Sequence, residues 1–134
     1  MRAHILALAA TVLLAVPAVG DTKSDVTGVI QRQIDAFLVD DFATAFTYAS
    51  PQIKNIFRSS ENFGSMVKQG YPMVWRPADV QYLDLRTEGG AAFQNVMIED
   101  QAGETHVLEY QMMKTDTGWA IAGVRILRAP GVGA

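Results

Sequence analysis

Cysteine is absent from all 134 residues, and histidine occurs only twice, as His4 and His106. The first absence excludes disulfides, thiol nucleophiles and thiolate metal sites, so the fold must hold by packing alone. With so few imidazoles as well, a zinc site of the usual nitrogen and sulfur ligands is excluded, and no metal or cofactor is expected. No glycine-rich phosphate loop, nucleophile elbow, HExxH or EF-hand pattern occurs, which argues against nucleotide, metal and serine-hydrolase chemistry. The formal net charge of −3 lacks the basic excess that a nucleic-acid partner favours.

The apolar residues that are present begin with a run from Ile5 to Val16, preceded by Arg2 and followed by Pro17, Ala18, Val19 and Gly20. That basic, apolar, small-residue order is the layout of a secretory signal. The run is too short to cross a bilayer as a helix, which takes roughly 20 apolar residues. The expectation is a signal peptide at residues 1–20, cut near Gly20/Asp21, and an exported, periplasmic or secreted protein with no membrane span after cleavage. Residues 21–134 suffice for one hydrophobic core, hence one domain.

From Val26 to Leu38 the apolar residues recur at steps of three and four, which predicts an amphipathic helix with Ser24 or Asp25 as its cap. Asp40 and Asp41 interrupt it. Phe42, Ala45, Phe46 and Ala49 form a second stripe, and Ser50-Pro51 opens a third helix with Ile53, Ile56 and Phe57 buried. Ser59 and Ser60 open a fourth, with Phe63, Met66 and Val67 inward and Gly70 at its end.

Beyond Gly70 the residues become β-branched and aromatic, broken by turn signals at Glu88 to Gly90, Asp100 to Gly103 and Asp116 to Gly118. This predicts about four antiparallel strands, near Val80–Thr87, Ala92–Glu99, Thr105–Lys114 and Trp119–Leu127. A short extended piece is expected at Met73–Trp75, between Pro72 and Pro77, and residues 129–134 form a Gly- and Pro-rich tail. Helices followed by a meander give an α+β fold, N-terminal helices packed on a curved antiparallel sheet. Strand parity puts Gln94, Val96, Ile98, Leu108, Tyr110, Met112, Trp119, Ile121 and Gly123 on the helix-facing side. It puts Phe93, Met97, Val107, Met113, Val124 and Ile126 on the outer side, where an apolar surface points to a homodimer.

The stretch FGSMVKQGYPMVWRP and the ending EYQMMKTDTGWAIAGVRIL, with Asp40-Asp41, Ala49-Ser50-Pro51, Met66-Val67 and Tyr71-Pro72, resemble the bacterial family called domain of unknown function 4864. The likeness runs over about residues 26–128. It implies a cone of the nuclear transport factor 2-like superfamily and leaves the catalytic residues unknown, since such cones serve enzymes and binding domains alike.

Candidate chemistry is sparse. His106 reads either as a base tuned by Glu104 and Glu109 or as an exposed strand-edge histidine. Asp40 and Asp41 read either as an acid/base pair or as helix caps. Trp75, Gln94, Tyr110, Met112 and Trp119 are the candidate wall of a pocket for a small apolar ligand, with Gln94 orienting it. The same set also reads as plain core, with the Gln94 amide tying down a neighbouring backbone, and Trp75-Arg76 doubles as a surface anchor. The leading expectation is a non-catalytic binding or interaction domain. The alternative is a small cone-fold isomerase or dehydratase with a phenol from Tyr71, Tyr82 or Tyr110 and a carboxylate from Asp35 or Asp84.

Overall fold

In a computed structural model that describes residues 19–128, α1 (Val19–Leu38) buries Val26, Val29, Ile30, Ile34 and Phe37 along one stripe. The expected leader, apart from its last two residues, and the expected tail lie outside the described residues. The helix starts well before Val26, so Ser24 and Asp25 sit inside it and do not cap it. Residues 21–25 are polar and none of them is buried, and apolar periodicity cannot register such a stretch. Asp21 in the first turn suits the helix dipole.

Asp40 ends α1. Its φ is 56°, and the Asp40 and Asp41 amides donate back to the Phe37 and Ala36 carbonyls at 3.0 and 2.9 Å, the Schellman pattern that usually takes glycine. The Asp40 carboxylate accepts from Trp75 Nε1 at 2.9 Å and Arg76 Nη2 at 2.8 Å, while Arg76 Nη1 donates to the Phe37 carbonyl at 2.6 Å. The unusual residue in the left-handed position is therefore held by its own side chain.

Asp41 then caps α2 (Phe42–Thr47), accepting from the Thr44 amide at 3.1 Å. Ser50 caps α3 (Pro51–Phe57) and Ser59 caps α4 (Ser60–Gly70), each accepting from the amide three residues on. On α3, Ile53 and Phe57 face inward together, but Ile56 is 61% exposed, contrary to expectation. A two-turn helix presents only one i, i+4 pair to a neighbour. Met73–Trp75 is also not extended: it lies in α5 (Pro72–Trp75), with Pro72 in the first turn and the Tyr71 carbonyl accepting from the Val74 and Trp75 amides.

Four strands follow, β1 (Pro77–Glu88), β2 (Ala91–Asp100), β3 (Thr105–Thr115) and β4 (Gly118–Arg128), antiparallel in sequence order. Gly89, Gly103 and Gly118, at the three turns, all have positive φ. The pairing shifts register at four places, two between β1 and β2 and two between β3 and β4, and one of each pair bears on the site. In β1, Leu83 and Asp84 carry an extra residue between the pairs Tyr82–Val96 and Leu85–Gln94. In β4, Ala122 is extra between the pairs Gln111–Gly123 and Met112–Ile121.

The β4 bulge reverses the alternation. Val124 and Ile126, expected on the outer side, oppose Tyr110 and Leu108 on the helix-facing side, and Gly123, expected inside, opposes outward Gln111. Phe93, Met97, Val107 and Met113 keep the outer side, and Trp119 and Ile121 the inner one.

Helix α1 packs on β2 and β4, and Phe63 joins Phe37, Phe46 and Phe57 at ring separations of 5.1 to 5.9 Å. The β4 edge is covered by the helical segment: the Ser50 amide donates to the Ile121 carbonyl at 2.8 Å and the Ile121 amide to the Tyr48 carbonyl at 2.9 Å.

Candidate functional site

The clearest cavity lies between the helices and β4, about 250 Å³ in volume and partly open. Its walls are Ile53 and Phe57 of α3, Phe63, Met66 and Val67 of α4, Phe37 of α1, Val74 of α5, and Ile121 and Val124 of β4. Two polar side chains join them. Gln33 donates its amide to the Ala45 carbonyl at 3.1 Å, and the Tyr71 hydroxyl donates to the Val124 carbonyl at 3.2 Å. One Gln33 N–H and the Tyr71 O–H are thus engaged with backbone, the rest of the lining side chains are apolar, and no carboxylate or imidazole is among them.

None of the five expected pocket residues lines this cavity. Gln94, Tyr110 and Met112 do share a face, but they are fully buried in the sheet–helix core. The Gln94 side-chain amide donates to the carbonyls of Leu83 at 2.9 Å, Asp84 at 3.3 Å and Asn95 at 2.8 Å. Gln94 thus fastens the β1 bulge, as the core reading of its amide anticipated. Trp75 is half-buried beside α1, bonded to Asp40, with the Arg76 guanidinium 4.2 Å from its ring. Trp119 sits at the other end of the sheet, in a separate polar groove. The stretches that do form the wall were legible as helix stripes, and the pattern that marks a core residue marks a cavity residue equally well.

Of the three candidate phenols only Tyr71 lines the cavity; Tyr110 and Tyr82 do not. Tyr110 is wholly buried, its hydroxyl has no hydrogen-bond partner, and burial followed by the neighbouring Tyr82 and Tyr71 phenols raises its pKa above the ordinary tyrosine value. Burial, reinforced by the Asp35 charge, pushes Tyr82 up to about 12, and its hydroxyl donates to Gln31 Oε1 at 2.7 Å. The candidate carboxylates Asp35 and Asp84 are both exposed.

His106 is buried, not an exposed edge residue, because it stands on the helix-facing side opposite Ile98. Its Nε2 is 2.8 Å from Asp100 Oδ2, and Nδ1 has no partner. Glu109, expected as its tuner, lies on the other side of the sheet between Arg125 at 3.0 Å and Arg86 at 3.6 Å. The His106 contact, then the Glu104 and Ala102 amides, hold the Asp100 carboxyl below the usual range. Asp40 and Asp41 likewise serve helix termination and capping, with carboxyls lowered by Trp75 and Arg76 and by Thr44, respectively. Among the described residues, no three potential ligands cluster for a metal, and no helix is long and apolar enough to cross a membrane.

The fold is shared with several solved structures. A SEC-C motif containing protein from Rhodopseudomonas palustris superposes with a TM-score of 0.58 at 11% identity, covering 79% of this chain and 81% of its own. An NTF-2 like protein of unknown function from Shewanella oneidensis gives 0.52 at 13%, covering 77% and 96%. An NTF2-like protein from Campylobacter jejuni gives 0.51 at 13%, covering 72% and 97%. At such identities the likeness shows the fold alone. No curated protein matches the chain. Residues 20–134 match the family described as domain of unknown function, DUF4864, and the chain belongs to that family.

Proposed function

We propose that this domain binds a small, uncharged, mainly apolar molecule in the cavity between α3, α4 and β4, and does no chemistry on it. The apolar wall carries the proposal: its two polar side chains already donate to backbone carbonyls, so the site offers burial and no proton transfer. At about 250 Å³ it exceeds the roughly 150 Å³ that holds benzene and falls short of the roughly 300 Å³ at which drug-sized pockets begin. A bicyclic aromatic such as naphthalene or indole is the size class.

The test is a titration of naphthalene into the purified protein, followed by amide and methyl chemical shifts, with Val67→Phe to fill the cavity. Saturable shifts at α3, α4 and β4 that the filled variant loses would support the reading. Shifts scattered over the surface, or undiminished in the folded variant, would overturn it.

The outer sheet side supports a second element, a homodimer. Met113 is exposed there and Phe93, Met97 and Val107 are half-buried, around the Arg86–Glu109–Arg125 ion network, with the Arg86 guanidinium 4.4 Å from the centre of the Phe93 ring. Placing both signs of charge beside an apolar patch suits a two-fold contact, in which each patch meets its own copy. Sedimentation at micromolar concentration should give twice the chain mass, and a clean monomer would refute it. Export rests on the leader pattern of residues 1–20 and predicts a product lacking them, readable by intact mass.

A further inference from the structure

A second depression, about 790 Å³, lies on the other side of α3 between α1, the α2–α3 connection and the β3–β4 hairpin. Its chemistry is opposite to that of the apolar cavity. Arg32, Lys54 and Lys114 line it, and among the described residues none of the three is in an ion pair. Asp25 is the one carboxylate in the lining; Ser24 and Thr117 add hydroxyls, while those of Thr47 and Thr115 already donate to the Thr44 and Gly118 carbonyls. In a chain of net charge −3, three unpaired cations sharing one groove are a local reversal of sign.

Two of those cations are held over aromatic rings that also line the groove. Arg32 lies 5.9 Å from the Tyr48 ring centre and Lys114 5.0 Å from that of Trp119. Stacking restrains the long side chains while leaving their donors free. Gly28, one turn before Arg32 inside α1, makes room for this: a Cβ there would stand 3.3 Å from Arg32 Nη1. Glycine inside a helix weakens it, and here the missing methyl is the space in which the guanidinium lies back along the helix.

We propose that this groove binds an anionic small molecule carrying at least two oxyanion groups, carboxylate or phosphate, taken up by Arg32, Lys54 and Lys114. Guanidinium supplies paired N–H donors to one oxyanion, and the ammonium groups add charge that exceeds the single Asp25 carboxylate of the lining. The site is independent of the apolar cavity, and neither proposal needs the other.

The experiment titrates pyrophosphate and citrate separately into the purified protein at low ionic strength, followed by amide chemical shifts. Saturable shifts at the groove are expected for at least one probe, and which one responds separates a phosphate from a carboxylate ligand. Arg32→Gln with Lys54→Gln should weaken that binding at least tenfold, and Lys68→Gln, outside the groove, should leave it unchanged. Gly28→Ala should raise the melting temperature and weaken binding in the same molecule, which a general loss of fold cannot do. Absence of saturation with both probes, equal weakening by Lys68→Gln, or full binding by the Arg32/Lys54 double variant would each overturn the proposal.

Discussion

Replacing Tyr110 with phenylalanine should stabilise the protein, the reverse of the usual result for a buried tyrosine. The ring is wholly buried opposite Gln94 and Val124, and its hydroxyl finds no partner. Leaving a buried polar group unsatisfied costs about 1–3 kcal/mol, and deleting it removes that cost while the ring keeps its packing. Part of the gain is lost to the small void where the oxygen stood, so the net expected gain is about 1 kcal/mol. For a domain of this size that corresponds to a rise in melting temperature of about 4 °C or more. Urea unfolding followed by circular dichroism would show a higher midpoint at unchanged slope. Destabilisation by about 1 kcal/mol would refute the reasoning, since it would mean that the hydroxyl is bonded in solution. A double-mutant cycle with Gln94→Leu identifies the acceptor. Gln94 Oε1 is itself without a partner and belongs to the residue directly across the strand. If the loss vanishes when Gln94→Leu is already present, that oxygen is the acceptor; if it persists, a buried water is.

Gly64→Ala should destabilise by about 1–3 kcal/mol through overpacking, because a Cβ there would stand 2.7 Å from Phe42 Cδ1; urea unfolding measures it. Ser50→Ala removes the α3 cap and should cost about 1 kcal/mol, readable as a lower melting temperature. Asp40→Asn should flatten the acid limb of stability. The folded carboxyl is held below 3.8 by Trp75 and Arg76, so its contribution is present above the unfolded value and lost as pH falls through the folded one. The difference between wild type and variant should shrink below about pH 4 in melting curves, and a constant offset would contradict it.

Periodicity carried most of the fold. The helix stripes at Val26–Phe37 and Phe63–Val67, and the turns at Gly89, Gly103 and Gly118, stand where their residue types put them, since each depends on chemistry within one turn or hairpin. Asp40 and Asp41 are readable as terminators for the same reason, although the Trp75 and Arg76 partners that hold Asp40 come 35 and 36 residues later in the chain. The site is not readable. Gln94, Tyr110 and Met112 group correctly on one face, but whether that face is filled depends on how α1 descends on the sheet, and no local spacing encodes it. His106 reads as exposed because its sequence neighbours are polar, yet its partner Asp100 lies across the hairpin turn.

The apolar cavity owes one of its wall residues, Val124, to a bulge that parity could not anticipate. Without Ala122 as an extra residue, strict alternation in β4 would send Val124 outward. With it, Val124 turns toward Tyr110 and becomes part of the wall, and its carbonyl accepts from Tyr71. The bulge sits next to Ile121, where the Tyr48–Ser50 segment bonds to the edge of β4. That bond fixes the start of α3, which carries Ile53 into the apolar cavity and Lys54 into the cationic groove, neighbours about 100° apart around the helix. One short helix thus separates two surfaces of opposite chemistry, and its position depends on backbone pairing at an irregular strand edge, which a residue-by-residue pattern does not reach.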